Sequence, residues 1–212
     1  MMMMIPVETL ACEAERRRVA RIGSWLFRHR GWLPVPFLVV PLVVEGVQTA
    51  TTWAIGLSMV VLGEFVRLAG VAAAGTVTRR RSRDVQRLVT YGAFSCCRNP
   101  LYVGNFLIWS GFIVISGVFW FLPLAIGIFA IEYSFIVWYE EGVLESTFGD
   151  EYLHYKKNTP RWLPRLNGFR TDGEHQWLEA FWSERSTALQ YALLIGVFLL
   201  KDQYWYADPP EL

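Results

Sequence analysis

RNPLYVGNFLIWSGFIVISGVFWFLPLAIGIFAIEYSFIVWYEE, residues 98–141, decides the fold. Two apolar runs, 101–115 and 119–139, flank Ser116-Gly117-Val118, a link too short for anything but a tight antiparallel hairpin of helices. Each run is about long enough to cross a hydrocarbon core of roughly 30 Å at ~1.5 Å per residue, the shorter one marginally. Apart from Glu132, charge is confined to the ends: Arg98 before the first run, Glu140 and Glu141 after the second.

Three more apolar runs lie outside the hairpin, at 32–47, 53–74 and 187–200, the last with Tyr204 and Trp205 as interfacial anchors. The chain has 212 residues, 53% of them apolar, with a mean hydropathy of +0.28. That length suits one domain, and the composition reads as an integral membrane protein. The expectation is an all-α fold of about five transmembrane helices. An amphipathic interfacial segment (1–31) leads into a membrane core (32–166), followed by a C-terminal interfacial segment with the fifth span (167–212). A net charge of +1 suggests no nucleic-acid partner. Cys12, Cys96 and Cys97 provide neither a disulfide framework nor a metal-type C-x-x-C spacing. The opening MMMMIPVETLACEAERRR lacks the apolar core and small-residue cleavage site of a secretory signal.

Orientation follows from the basic residues. All but Arg67 and Lys201 of the 20 Lys and Arg residues precede the first run, lie between the second and third, or follow the fourth ahead of the fifth. Five spans with the N-terminus inside place all three groups on the cytosolic side, as the positive-inside rule requires. AERRRVARIGSWLFRHR, residues 14–30, mixes Arg with Val19, Ile22, Trp25, Leu26 and Phe27 at helical spacing, the pattern of a helix lying in the interface.

Glu45, Glu64, Arg67 and Glu132 fall within or near the edges of the apolar runs. A charge at mid-bilayer costs at least about 2.5–3.5 kcal/mol, so these residues are expected to face protein or water. Glu64 and Arg67, three apart, can pair on one helix face, either to fix packing or to line a polar cavity. Glu132 lies two turns before Glu140 on roughly the same face.

Two stretches carry chemistry. In QRLVTYGAFSCCRNPLYVGNF, residues 86–106, Gly92 marks a turn and Pro100 suits the first turn of a helix. N–H groups of that turn can hold a ligand's polar atoms, with Tyr102 as an aromatic plane and Gly104 as a surface for close approach. The same residues fit an interfacial cap with a snorkelling Arg98. In the second stretch, residues 132–166, the helix carries Glu140, Glu141 and Glu145 past the apolar zone and ends at Phe148-Gly149. An amphipathic segment with Tyr152, Tyr155 and Lys156 follows from Asp150, and Pro160 and Pro164 close it.

The combination L-V-T-x-G … R-N-P-x-Y-x-G and, about forty residues on, E-E-x-x-L-x-x-x-F-G-x-x-Y-x-x-Y-K-x-x-x-P resembles the isoprenylcysteine carboxyl methyltransferase family, which is related to membrane phospholipid N-methyltransferases. The resemblance covers roughly residues 53–166. It implies S-adenosylmethionine as cofactor, held by the last spans and the cytosolic connectors and not on a Rossmann sheet. Gln86, Arg87, Leu88 and Val89 would pass along the cofactor, with Phe94 at an aromatic position. Arg98, Asn99, Pro100, Leu101, Tyr102 and Gly104 would form its cradle, Asn99 standing where well-known members have histidine. Glu140 would hold the cofactor's polar end, since a charge-assisted hydrogen bond is about twice as strong as a neutral one.

Ile136 departs from the pattern, occupying the position of an arginine that meets the prenylcysteine carboxylate in those enzymes. Arg67 or Arg98 would have to supply that charge from another helix. A second departure is Ala93-Phe94-Ser95 in place of Pro-Tyr-Arg. The implied acceptor is lipophilic or amphiphilic and arrives from the bilayer. A carboxylate acceptor needs no base, whereas an amine or thiol must lose a proton, for which Glu141 or Glu132 is the candidate. The alternatives are a phospholipid-type N-methyltransferase, which needs no carboxylate-binding arginine, and a non-catalytic membrane protein that keeps the fold.

Overall fold

A computed structural model describes residues 7–31, 33, 35–75, 87–165 and 168–207. Among them the chain is helical, with no strand: α1 (Val7–His29), α2 (Val35–Val43), α3 (Ala50–Ala74), α4 (Ala93–Cys96), α5 (Pro100–Ser116), α6 (Phe121–Phe148), α7 (Asp150–Asn158) and α8 (Trp177–Ala207). Helices α3 and α6 are long and apolar enough to cross a membrane, and α5 is a shorter apolar helix.

The hairpin forms as expected. At Gly117 the backbone turns left-handed (φ 70°, ψ 7°), a conformation that favours glycine, and its N–H returns to the carbonyl of Val114 at 3.1 Å. The Ser116 hydroxyl donates to the carbonyl of Ile113 at 2.7 Å, and the turn leads into α6. Gly149 ends α6 in the same way as the sequence suggests, its N–H bonding the carbonyl of Glu145 at 3.0 Å.

Helices α3 and α5 cross at two glycine pairs. A Cβ built on Gly63 would stand 2.6 Å from the carbonyl oxygen of Gly104, and one on Gly56 2.6 Å from that of Gly111. Small residues let apolar helices approach closely, where packing and not hydrophobic burial drives association in lipid. The close approach at Gly104 is therefore to α3. Gly63→Val is expected to cost about 1–3 kcal/mol by forcing the helices apart. The measurement is the unfolding midpoint in detergent, with Gly127→Ala, which meets nothing within 4 Å among the described residues, as the unaffected control.

The first apolar run does not form a spanning helix. Its helical part, α2, has nine residues, about 14 Å. Pro41 lies inside it, and a proline removes an amide donor and crowds the preceding turn. The carbonyls left at its end are satisfied by Lys201 Nζ, which donates to Pro41 O at 2.8 Å and to Val44 O. Glu45 is exposed just beyond. The last run forms a longer helix than its apolar part: α8 absorbs the interfacial stretch from Trp177 onward.

Three apolar clusters join the helices around the site. Val60, Ile108, Phe112, Ile115 and Phe198 link α3, α5 and α8. Tyr102, Tyr133, Ile136 and Val137 join α5 to α6, with Leu26 and Phe27 of α1 and Trp162 packed against them. Ile113, Val118, Phe121 and Ala125 close the turn end, against α2. Outward faces carry exposed Val61, Leu62 and Phe65 on α3, Ile131 on α6, and Leu189, Leu193 and Leu200 on α8.

Candidate active site

Proline starts α5 at its first position, with Asn99 as the residue before it. The neighbouring N–H groups are mostly engaged and not free. Arg98 N–H donates to Pro160 O at 2.8 Å, and the Tyr102 and Val103 N–H groups both reach Asn99 O at 3.1 Å. The segment after α7 wraps this corner: the Asn99 amide donates to Arg161 O at 3.1 Å, and Arg165 N–H to Cys96 O at 3.0 Å. Tyr155 on α7 donates its hydroxyl to Phe94 O at 2.7 Å. Cys97 is buried beneath, and burial pushes its thiol up to about 11 against an opposing hydrogen bond from the Asn99 backbone, so it stays protonated and unreactive at neutral pH.

The adjacent glutamates at the end of α6 have opposite surroundings. Glu141 is closed in. Arg161 forks onto it, Nε to Oε1 at 3.1 Å and Nη2 to Oε2 at 2.6 Å, while Arg98 Nη2 reaches Oε1 at 3.0 Å. Lys156 Nζ lies 3.8 Å from Oε2. Side-chain exposure is 6% for Glu141 and 9% for Arg98. A proton acceptor needs a lone pair aimed at its substrate, and both oxygens of Glu141 are already taken. Its geometry is that of a clamp tying α6 to the Arg98 corner and to the segment after α7, and not that of a base.

Glu140 is more open. Tyr102 donates its hydroxyl to Oε2 at 2.9 Å, and Arg30, just past α1, lies 3.3 Å from Oε1. The Arg30 guanidinium sits over the Phe27 ring at 4.1 Å. An aromatic wall runs inward from here between α5 and α6. Tyr102 meets Tyr133 edge-on at 4.7 Å, Tyr133 stacks on Phe129 at 4.0 Å, and Phe129 meets Phe106 at 5.4 Å. Ile136 is fully buried in this wall, one turn before Glu140. Glu132 is buried deeper on α6, with Oε1 lacking a hydrogen-bond partner among the described residues.

A family model described as phospholipid methyltransferase matches residues 51–151, from the start of α3 to the start of α7. Protein-S-isoprenylcysteine O-methyltransferase of Mus musculus is 36% identical over 135 residues, 57% of this chain and 45% of its own length. Protein-S-isoprenylcysteine O-methyltransferase B of Arabidopsis thaliana is 33% identical over 124 residues, 53% of this chain and 59% of its own. The nickel-cobalt-cadmium resistance protein NccN of Alcaligenes xylosoxydans xylosoxydans is 30% identical over 161 residues, 73% of each chain. From the start of α3 to the start of α7 the chain is similar to the phospholipid and isoprenylcysteine methyltransferases. It spans about half the length of the mammalian and plant relatives it matches. No solved structure matches it. This similarity and the apolar helices α3 and α6 support a membrane location for the chain.

The structure brings together Arg98, Asn99, Pro100, Tyr102, Ile136, Glu140 and Glu141. Arg67 is linked to the aromatic wall through Asn105, whose amide donates to the Tyr133 hydroxyl at 3.3 Å. Arg67 is committed to Glu64 (Nε to Oε2, 3.3 Å), to Glu184 of α8 (Nη2 to Oε2, 3.1 Å) and to Asn105. The Glu64–Arg67 pair read from spacing is thus part of a larger polar junction. Leu101 packs toward Gly70 of α3, and Arg87 turns to the Tyr91 hydroxyl at 2.5 Å. Leu88 and Val89 are half-buried without regular structure, and Gln86 lies outside the described residues. Arg30, Arg161 and Glu184 were invisible as site or junction residues: each is remote in sequence from its partner, and no local spacing announces it.

Proposed function

We propose that this chain is an S-adenosylmethionine-dependent integral membrane methyltransferase acting on a lipophilic or amphiphilic acceptor at the cytosolic face. One observation carries the reading. The Arg98–Glu141–Arg161 clamp draws the two motif stretches into one corner, leaving the adjacent Glu140 partly open beside Tyr102 and an aromatic wall. A carboxylate beside aromatic faces suits a cationic sulfonium ligand, through charge-assisted hydrogen bonding at one end and cation–π attraction along the wall.

The bound cofactor would supply an electrophilic methyl group whose transfer neutralises the sulfonium. The chain's part is to align and to exclude water. Glu140, oriented by Tyr102, holds the cofactor's amine. Ile136, Phe129 and Tyr133 form the dry side on which an acceptor tail lies. For an amine or thiol acceptor Glu132, some 12 Å further along α6, takes the proton. The full burial of Ile136 in apolar company favours an uncharged or cationic acceptor head over a carboxylate at that position.

Topology belongs to the same proposal. Glu184 meets Arg67 near the start of α8, and Lys201 reaches the end of α2, 17 residues or about 25 Å further along. That separation supports α8 as a full crossing and a cytosolic N-terminus beside the site.

Calorimetry of the full chain in detergent with S-adenosylhomocysteine tests the reading. Saturable one-to-one binding is expected, and no heat at millimolar ligand would overturn it.

A further inference from the structure

Arg30 lies outside the region shared with the family model and ahead of the apolar runs, yet it stands at Glu140. The two glutamates at the end of α6 show what sort of pair this is. Glu141 is bound bidentately by Arg161 and shut away, at 6% side-chain exposure. Arg30 stands 3.3 Å from Glu140, and both partners remain partly open, at 23% and 28%. The closed pair has the geometry of a structural joint. The open one leaves a carboxylate and a guanidinium side by side at an accessible edge, each held from its other side, Glu140 by Tyr102 and Arg30 over Phe27.

A carboxylate next to a guanidinium is complementary to an α-amino acid zwitterion. Its ammonium bonds the first and its carboxylate the second, so one ion pair is exchanged for two and no buried charge is left without a partner. We propose that Arg30 binds the carboxylate of the cofactor's amino-acid end, making the N-terminal amphipathic helix part of the cofactor site. This rests on the reading of Glu140 given above. A planar guanidinium also suits a carboxylate geometrically, offering two parallel N–H donors. On this account α1 is more than an anchor: it delivers a cation that completes the site.

The test compares S-adenosylhomocysteine with S-adenosyl-3-thiopropylamine, the same molecule without its carboxylate, on the full chain by calorimetry. The wild type is expected to prefer the carboxylate-bearing ligand by about 10- to 100-fold, the scale of one charge-assisted hydrogen bond. Arg30→Gln is expected to abolish that preference while binding S-adenosyl-3-thiopropylamine as well as the wild type or better, which also shows the variant to be folded. Arg30→Lys should keep part of the preference. Loss of both ligands alike in Arg30→Gln would overturn the inference, because Arg30 would then only hold Glu140 in place. A preference that survives in Arg30→Gln would overturn it too. A wild type that binds neither ligand would instead remove the methyltransferase reading on which it stands.

Discussion

Glu141→Ala is expected to destabilise the chain by about 3–5 kcal/mol, the cost of stripping a buried charge of its partner. The substitution leaves Arg98, 9% exposed, facing an apolar methyl, and releases the fork of Arg161. Three pieces then lose their common joint: the end of α6, the corner before α5 and the segment after α7. The measurement is unfolding in detergent by circular dichroism or denaturant titration, paired with S-adenosylhomocysteine binding, which is expected to disappear with the joint. Glu145→Ala is the comparison. Its carboxylate pairs with Lys156 at 37% exposure, and losing a solvated pair of that kind costs at most about 1 kcal/mol. If Glu141→Ala costs no more than Glu145→Ala, the clamp does not hold the corner together.

Glu132→Gln carries the second large effect. If Glu132 accepts the acceptor's proton, the amide variant should lose about 100-fold or more in turnover with amine or thiol acceptors, the usual contribution of a general base. Binding of S-adenosylhomocysteine should be retained, because Glu140 lies two helical turns away. Stability should hold, because the amide fills the same volume and no hydrogen bond to Glu132 Oε1 among the described residues is lost. Radiolabelled methyl transfer to a panel of lipid amines and prenyl thiols provides the assay. Undiminished turnover with every acceptor would remove Glu132 from the chemistry. Lost ligand binding with retained turnover per bound cofactor would move it to the binding site.

These variants separate the joint at Glu141 from the proton acceptor proposed at Glu132, on a stretch that also carries Glu140, the proposed grip on the cofactor, all within three turns of one helix. Helical geometry explains how they coexist. Glu140 and Glu141 are about 100° apart around α6, so one meets Tyr102 and Arg30 while its neighbour meets Arg98 and Arg161.

The helices, their ends and the hairpin were legible because local rules govern them. Gly117 and Gly149 stop helices through backbone freedom, and Pro100 starts one through its fixed φ. The pairing of Glu64 with Arg67 is a matter of three-residue spacing. Reading the run at 32–47 as a span failed because hydropathy counts apolar side chains and not amide donors, and Pro41 shortens the helix that the run can make.

What the sequence by itself determined is thus the class of fold and the hairpin, set by periodicity, backbone restriction and apolar run length, while the neighbourhood of the two motifs came from the resemblance. Only the tertiary structure decided which charges meet. Glu140 faces Arg30 across 110 residues, Glu141 is closed by Arg161 as well as Arg98, and Arg67 is claimed by Glu184 of α8. The physical reason is that an ion pair between distant segments depends on helix packing, here the glycine-mediated approach of α3 to α5 and the docking of α1 on α6, and leaves no periodic trace in the chain.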